Sequence, residues 1–121
     1  MARILLLEDD PHVLPLYEHV LLRQGYEVTT AETVAKGMAS LSGRRFDLAI
    51  CDVNLPDGSG LAVADEATAA GVKALVVTAH GLSLKPGGLA GYDYLLKPVR
   101  IAELLAAVER CLAARSPLEL E

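Results

Sequence analysis

Four apolar runs in this 121-residue chain each end in a side chain that can do chemistry. Ile4-Leu5-Leu6-Leu7 runs into Glu8, Asp9 and Asp10, and Leu48-Ala49-Ile50-Cys51 runs into Asp52. Ala74-Leu75-Val76-Val77 ends in Thr78, and Tyr94-Leu95-Leu96 ends in Lys97 and Pro98. Short apolar runs bounded by turn residues read as buried strands. In an open parallel sheet the carboxyl ends of the strands line the ligand crevice, so these four ends should converge. Clustered carboxylates offer hard oxygen ligands to a divalent cation. A hydroxyl can donate to an oxyanion, and an ammonium supplies a point charge for a phosphoryl oxygen. Together they have the chemistry of a cation site beside a phosphoryl acceptor.

The elements that must position these ends alternate strand and helix, the pattern of a parallel sheet with right-handed crossovers. Arg3 to Glu8 forms the first strand. Asp10 is a good N-cap and Pro11 a good first helical residue. Val13, Leu14, Tyr17, Val20 and Leu21 then keep a helical period up to the stop at Gly25. Pro15 is awkward in that reading, because in a second turn it removes a hydrogen bond. Tyr26 to Ala31 is the second strand, Thr33 to Leu41 a second helix weakened by Gly37, and Ser42 to Arg45 a turn. The third strand ends at Asp52. Asn54 to Gly60 is a loop in which Asp57 and Gly58 are turn residues rather than ligands. Leu61 to Ala70 is a third helix closed by Gly71, Ala74 to Thr78 the fourth strand and Tyr92 to Leu96 the fifth. Ile101 to Ala114 is an amphipathic last helix with Leu104, Leu105, Val108, Cys111 and Leu112 on one side. The segment Ala79 to Gly91 breaks the regularity. A crossover needs about 10–12 residues including its helix, and this one carries Gly81, Pro86, Gly87, Gly88 and Gly91. A short or irregular fourth helix, mobile until something orders it, is expected there.

Length and composition agree with one small domain. A chain of this size buries about two-thirds of its unfolded surface, enough for one core. With only four Tyr and one Phe, that core must be built from Leu, Val, Ala and Ile, as in a sheet covered on both faces. The net charge of -5 argues against nucleic-acid binding by the domain itself. Cys51 and Cys111 fit no metal spacing and no disulfide framework, and Cys51 reads as a small buried hydrophobe. His12, His19 and His80 share no metal spacing either, although His80 falls near the mouth of the expected site. No run reaches membrane-spanning length and no signal peptide is present, so a soluble cytoplasmic domain is expected. Residues 1–115 form the domain, and 116–121 read as the start of a linker or a cut end.

The segments ILLLEDD (4–10), DVNLPDGSG (52–60), VVTA (76–79) and DYLLKP (93–98) resemble the receiver domain of bacterial two-component response regulators, the CheY-like group. The resemblance runs from Arg3 to about Ala114. It implies a flavodoxin-like five-stranded parallel sheet in the order 2-1-3-4-5 with helices on both faces. It also implies Asp52 as phosphoacceptor, supplied by the phosphohistidine of a histidine kinase or a histidine phosphotransfer protein. Mg2+ would be held by Glu8 and Asp9, one directly and one through water, by Asp52 and by the backbone carbonyl of Asn54. Lys97 and Thr78 would meet the phosphoryl oxygens, and the Lys97–Pro98 peptide would be cis. Tyr94 takes the place of the family's switch aromatic, turning inward as Thr78 moves. The domain would not be an enzyme in its own right. It would switch a protein-interaction surface read by an output domain or a downstream protein, without contacting nucleic acid or membrane.

Two readings from other classes share the layering. A flavodoxin-like domain can bind a small ligand or nucleotide, but carboxylates rather than a glycine-rich loop follow the first strand here. A degenerate receiver acting only as a docking module would carry no phosphate; a covalent adduct at Asp52 separates it from the first reading.

Overall fold

The computed structural model describes residues 2–79 and 92–113. The fourth helix expected within 80–91, His80 and the end segment 116–121 lie outside the described residues. Five strands form one parallel sheet: β1 (Arg3–Leu7), β2 (Glu27–Ala31), β3 (Leu48–Asp52), β6 (Lys73–Thr78) and β7 (Asp93–Leu96). Their order is β2-β1-β3-β6-β7, the expected 2-1-3-4-5 once a small hairpin, β4 (Asn54–Leu55) with β5 (Gly58–Ser59), is set aside. Helices α1 (Val13–Arg23), α2 (Val34–Gly43), α3 (Leu61–Ala69) and α4 (Ile101–Ala113) complete the described elements. No described helix is long and apolar enough to cross a membrane.

Strand side chains alternate between two faces, and both faces are covered. Leu5, Leu7, Ala49, Cys51 and Val76 pack with Val63, Ala64 and Ala67 of α3 and, partly buried, Val34 and Met38 of α2. Ile4, Leu6, Leu48, Ile50, Leu75 and Val77 pack with Tyr17 and Leu21 of α1 and Leu104, Ala107 and Val108 of α4. This is why β1 and β3 read as unbroken apolar runs. Burial also accounts for both cysteines: it pushes the Cys51 thiol up to about 12, and, with a hydrogen bond to Asp93, the Cys111 thiol up to about 11.

Three local readings change. Helix α1 begins at Val13, not Pro11; Asp10 instead caps a turn before it, its carboxylate accepting the N–H groups of His12 at 2.8 Å and Val13 at 3.3 Å. The later start removes the difficulty with Pro15. It now falls in the first turn, where a backbone N–H has no intrahelical partner to lose. Helix α2 runs on to Gly43, into the expected turn. The loop after Asp52 contains the β4–β5 hairpin, with Asn54 opposite Ser59 and Leu55 opposite Gly58.

Two glycines serve close packing rather than flexibility. A Cβ on Gly60 would stand 1.9 Å from the backbone oxygen of Asp52, and one on Gly37 would stand 2.9 Å from Leu7 Cδ2. The first obstacle is backbone and cannot yield; the second is the end of a side chain that can. Gly37 therefore allows α2 to lie close on β1 and α3, and is not simply a weak point of the helix. Gly60→Ala should cost stability at the upper end of the roughly 1–3 kcal/mol of overpacking. Gly37→Ala should cost much less, because about 1 kcal/mol of helix propensity offsets the crowding. Urea midpoints of the two variants check this, and equal losses would contradict it.

Candidate functional site

Register brings the polar strand ends to one level. Leu7 pairs with Cys51, so Glu8 lies beside Asp52; Asp52 pairs with Val77, and Thr78 with Leu96. The backbone continues these ladders past the strand ends. Glu8 N–H donates to the Ala31 carbonyl at 3.1 Å, Val53 N–H to that of Val77 at 3.0 Å, and Lys97 N–H to that of Thr78 at 2.8 Å. Glu8, Asp52 and Thr78 are all buried, at 1%, 3% and 2% exposure, and are the only buried polar or charged side chains among the described residues. Such groups persist in a core only when partnered.

Lys97 supplies the counter-charge. Its Nζ lies 2.7 Å from Asp52 Oδ2 and 3.2 Å from Glu8 Oε1. The other carboxylate oxygens are held by backbone: Asp52 Oδ1 accepts the Asn54 N–H, and Glu8 Oε2 accepts the N–H groups of Asp9 and Asp10, all at 3.1 Å. Burial pushes the Glu8 carboxyl above its ordinary pKa; the Asp10 N–H opposes this, and the charge of Asp52 adds to it. Burial would by itself lower the Lys97 ammonium, but the hydrogen bond and charge of Asp52, joined by Glu8, outweigh it and leave the pKa raised. Carboxylate oxygens of Glu8, Asp9 and Asp52 lie within 4.8 Å of one another, with Asp9 the exposed member. Three hard oxygen donors, one of them open to solvent, against one ammonium fit a small divalent cation that keeps several waters.

The structure thus brings together Glu8, Asp9, Asp52 and Lys97, with Thr78 on the adjoining strand end and the Asn54 backbone tied to the Asp52 carboxylate. The Lys97–Pro98 peptide is cis, as the resemblance implied. Tyr94 stands apart on β7, about half exposed. Two contributors were missed in the sequence. Tyr17, which the helical period marks only as core, has its phenol pushed up by burial first and then by the charge of Glu8. Asp57, read as a turn residue, accepts the N–H groups of Val34 at 2.7 Å and Ala35 at 3.1 Å at the start of α2. No local signal links it to a helix 23 residues away.

A family model, the response regulator receiver domain, matches residues 4–109. The chain belongs to that family. It is 32% identical over 123 residues to the transcriptional regulatory protein GlrR of Escherichia coli K12, covering 96% of this chain but 27% of GlrR. Among solved structures it is similar to a CheY-like receiver domain protein from Methanospirillum hungatei (TM-score 0.85, 32% identity, 93% of this chain and 94% of that one). It is also similar to the response regulator TrrA of Thermotoga maritima in complex with Mg2+-BeF (TM-score 0.82, 30% identity, 93% and 100% covered). TrrA is solved in complex with the histidine kinase ThkA as well. The chain thus spans about a quarter of the length of GlrR.

The ion pairs give the site a testable pH signature. A lysine whose pKa is raised by folding contributes stability that is fully present below its unfolded value, hence at neutral pH. Lys97→Met leaves two adjacent buried carboxylates and should cost about 3 kcal/mol at pH 7, by analogy with other broken buried pairs. A raised carboxyl such as Glu8 is stabilised by taking up a proton, so the deficit should shrink as the pH falls. Urea titrations of the variant and the parent from neutral to mildly acid pH check this; a deficit independent of pH would show that Lys97 acts by packing alone.

Proposed function

We propose that this receiver domain accepts a phosphoryl group on Asp52 and passes the change to a partner surface. The observation that carries the reading is the Lys97 ammonium held 2.7 Å from Asp52 inside a cluster of three carboxylates. An Asp52 oxygen attacks phosphorus, the bond from phosphorus to the donor's histidine nitrogen breaks, and Asp52 becomes an acyl phosphate. Lys97, already beside the acceptor, faces one phosphoryl oxygen as a point charge. Thr78 donates its hydroxyl to another. Glu8, Asp9, Asp52 and the Asn54 backbone carbonyl would hold Mg2+. When bound, that ion offsets the repulsion between a carboxylate and a phosphoryl group. The donor is a histidine kinase or a histidine phosphotransfer protein, which the TrrA–ThkA complex supports, and the setting is cytoplasmic.

The domain spans residues 1–115 in this reading. It turns over no external substrate; its chemistry is on itself. Tyr94, half exposed on β7, is the switch aromatic that turns inward when Thr78 engages the phosphoryl group. The readout is a changed protein surface for an output domain or a downstream protein.

With Mg2+ and a small phosphoramidate donor, intact mass should show the gain of one phosphoryl group, labile in base as an acyl phosphate is. Asp52→Asn should abolish the gain, whereas stoichiometric labelling that survives in this variant would overturn the assignment.

Mg2+ should raise Tm by mass action, equivalent to about 2.7 kcal/mol at 100 times its Kd. Asp9→Ala should remove most of that increment by deleting the exposed ligand. An unchanged response in calorimetric scans of the variant would place the cation elsewhere.

A further inference from the structure

Two-residue strands do not hold themselves together, and an isolated two-stranded hairpin is marginal at best in water. The β4–β5 hairpin has two pairs of opposed residues, yet it carries the Asn54 carbonyl assigned above to the metal. Something outside the hairpin must keep it in place. At its base the hold is the acceptor itself: Asn54 N–H donates to Asp52 Oδ1, Gly60 N–H donates to the Val53 carbonyl at 3.0 Å, and Gly60 lies against the Asp52 backbone. At its tip the hold is Asp57. Both of its carboxylate oxygens accept backbone N–H groups of α2, from Val34 at 2.7 Å and Ala35 at 3.1 Å.

Helix α2 is a fitting anchor. Its first N–H groups lack intrahelical partners and carry positive partial charge, so a carboxylate is favoured there. Thr33 takes a separate share of the cap, its Oγ1 accepting the Lys36 N–H at 3.1 Å. One turn on, Gly37 brings α2 against Leu7, the residue immediately before Glu8 and Asp9. The helix therefore meets the strand that leads into Glu8 and Asp9, at Leu7, and the Asn54 hairpin through Asp57.

The geometry points to Asp57 as a positioning residue for the metal site: it clamps the hairpin to α2 and so fixes the Asn54 carbonyl relative to Glu8 and Asp9, which follow β1, and to Asp52 at the end of β3. The inference rests on the proposed Mg2+ site and deepens it. Asp57 touches neither metal nor phosphate and acts through the backbone it holds. Its own carboxyl is held below the ordinary aspartate pKa by the Val34 N–H and then the Ala35 N–H, so the clamp stays ionised at neutral pH.

The test is Mg2+ affinity by isothermal titration calorimetry, at a temperature where every variant is folded by circular dichroism. The variants are Asp57→Ala, Asp57→Asn and Thr33→Ala. Thr33→Ala also weakens the cap of α2 but leaves the hairpin clamp intact. Asp57→Ala should weaken Mg2+ about tenfold, the scale on which supporting residues of metal sites act. Asp57→Asn, which keeps one accepting oxygen, should recover part of the loss. Thr33→Ala should lose stability yet bind Mg2+ within about twofold of the parent. Parent-like affinity in Asp57→Ala, or equal weakening in Thr33→Ala, would overturn the clamp. Absence of Mg2+ binding by the parent chain would instead overturn the metal site, and the clamp with it.

Discussion

Two carboxylates, Glu8 and Asp52, lie side by side at nearly zero exposure, and one ammonium makes that arrangement tolerable. Buried like charges repel, and each has lost most of its hydration. Lys97 reaches both, and backbone N–H groups take the remaining oxygens. Much of the structure around the site serves this constraint. The strands must end level so that the groups meet, and the loops after them must aim N–H groups inward. The cluster still holds more negative than positive charge, which is what makes it receptive to a small divalent cation.

Parallel register is the device that brings the groups level. The pairs Leu7 with Cys51, Asp52 with Val77 and Thr78 with Leu96 each set one strand end beside the next. A slip of one residue would turn Asp52 to the other face of the sheet, because side-chain direction has a period of two. The packing on both faces resists such a slip. Leu5 and Leu7 must meet α2 and α3 while Ile4 and Leu6 meet α1 and α4, so the core that stabilises the fold also fixes the geometry of its chemistry.

The loops show a second kind of control, through backbone groups as well as through the buried Val53 and Leu55. Gly60 lies so close to the Asp52 carbonyl that no side chain fits, and Asp57 joins the hairpin tip to α2. The loop after Asp52 is thus held at both ends by elements that also carry or support the acidic residues. Local stiffness there does not come from regular structure, of which the hairpin has little.

The sequence alone determined the strand–helix alternation, the five strands of the sheet, the polar ends of four of them and the identity of Glu8, Asp9, Asp52, Thr78 and Lys97 as a set. These were legible because unbroken apolar runs, glycine stops and motif order are local properties of the chain. Tertiary structure decided what depends on distance. It made Glu8 the buried carboxylate and Asp9 the exposed one, although they are neighbours in an identical motif context. It turned Gly37 from a flaw in a helix into a packing contact with Leu7. It also moved the start of α1 to Val13, where Pro15 does no harm, because Asp10 caps a preceding turn. Asp57 shows the limit most clearly: its partners on α2 are far away in the chain, and only folding brings a helix N-terminus to a turn carboxylate. Hydrogen-bond partners and burial are set by which elements meet in space, and no periodicity in the sequence encodes that meeting.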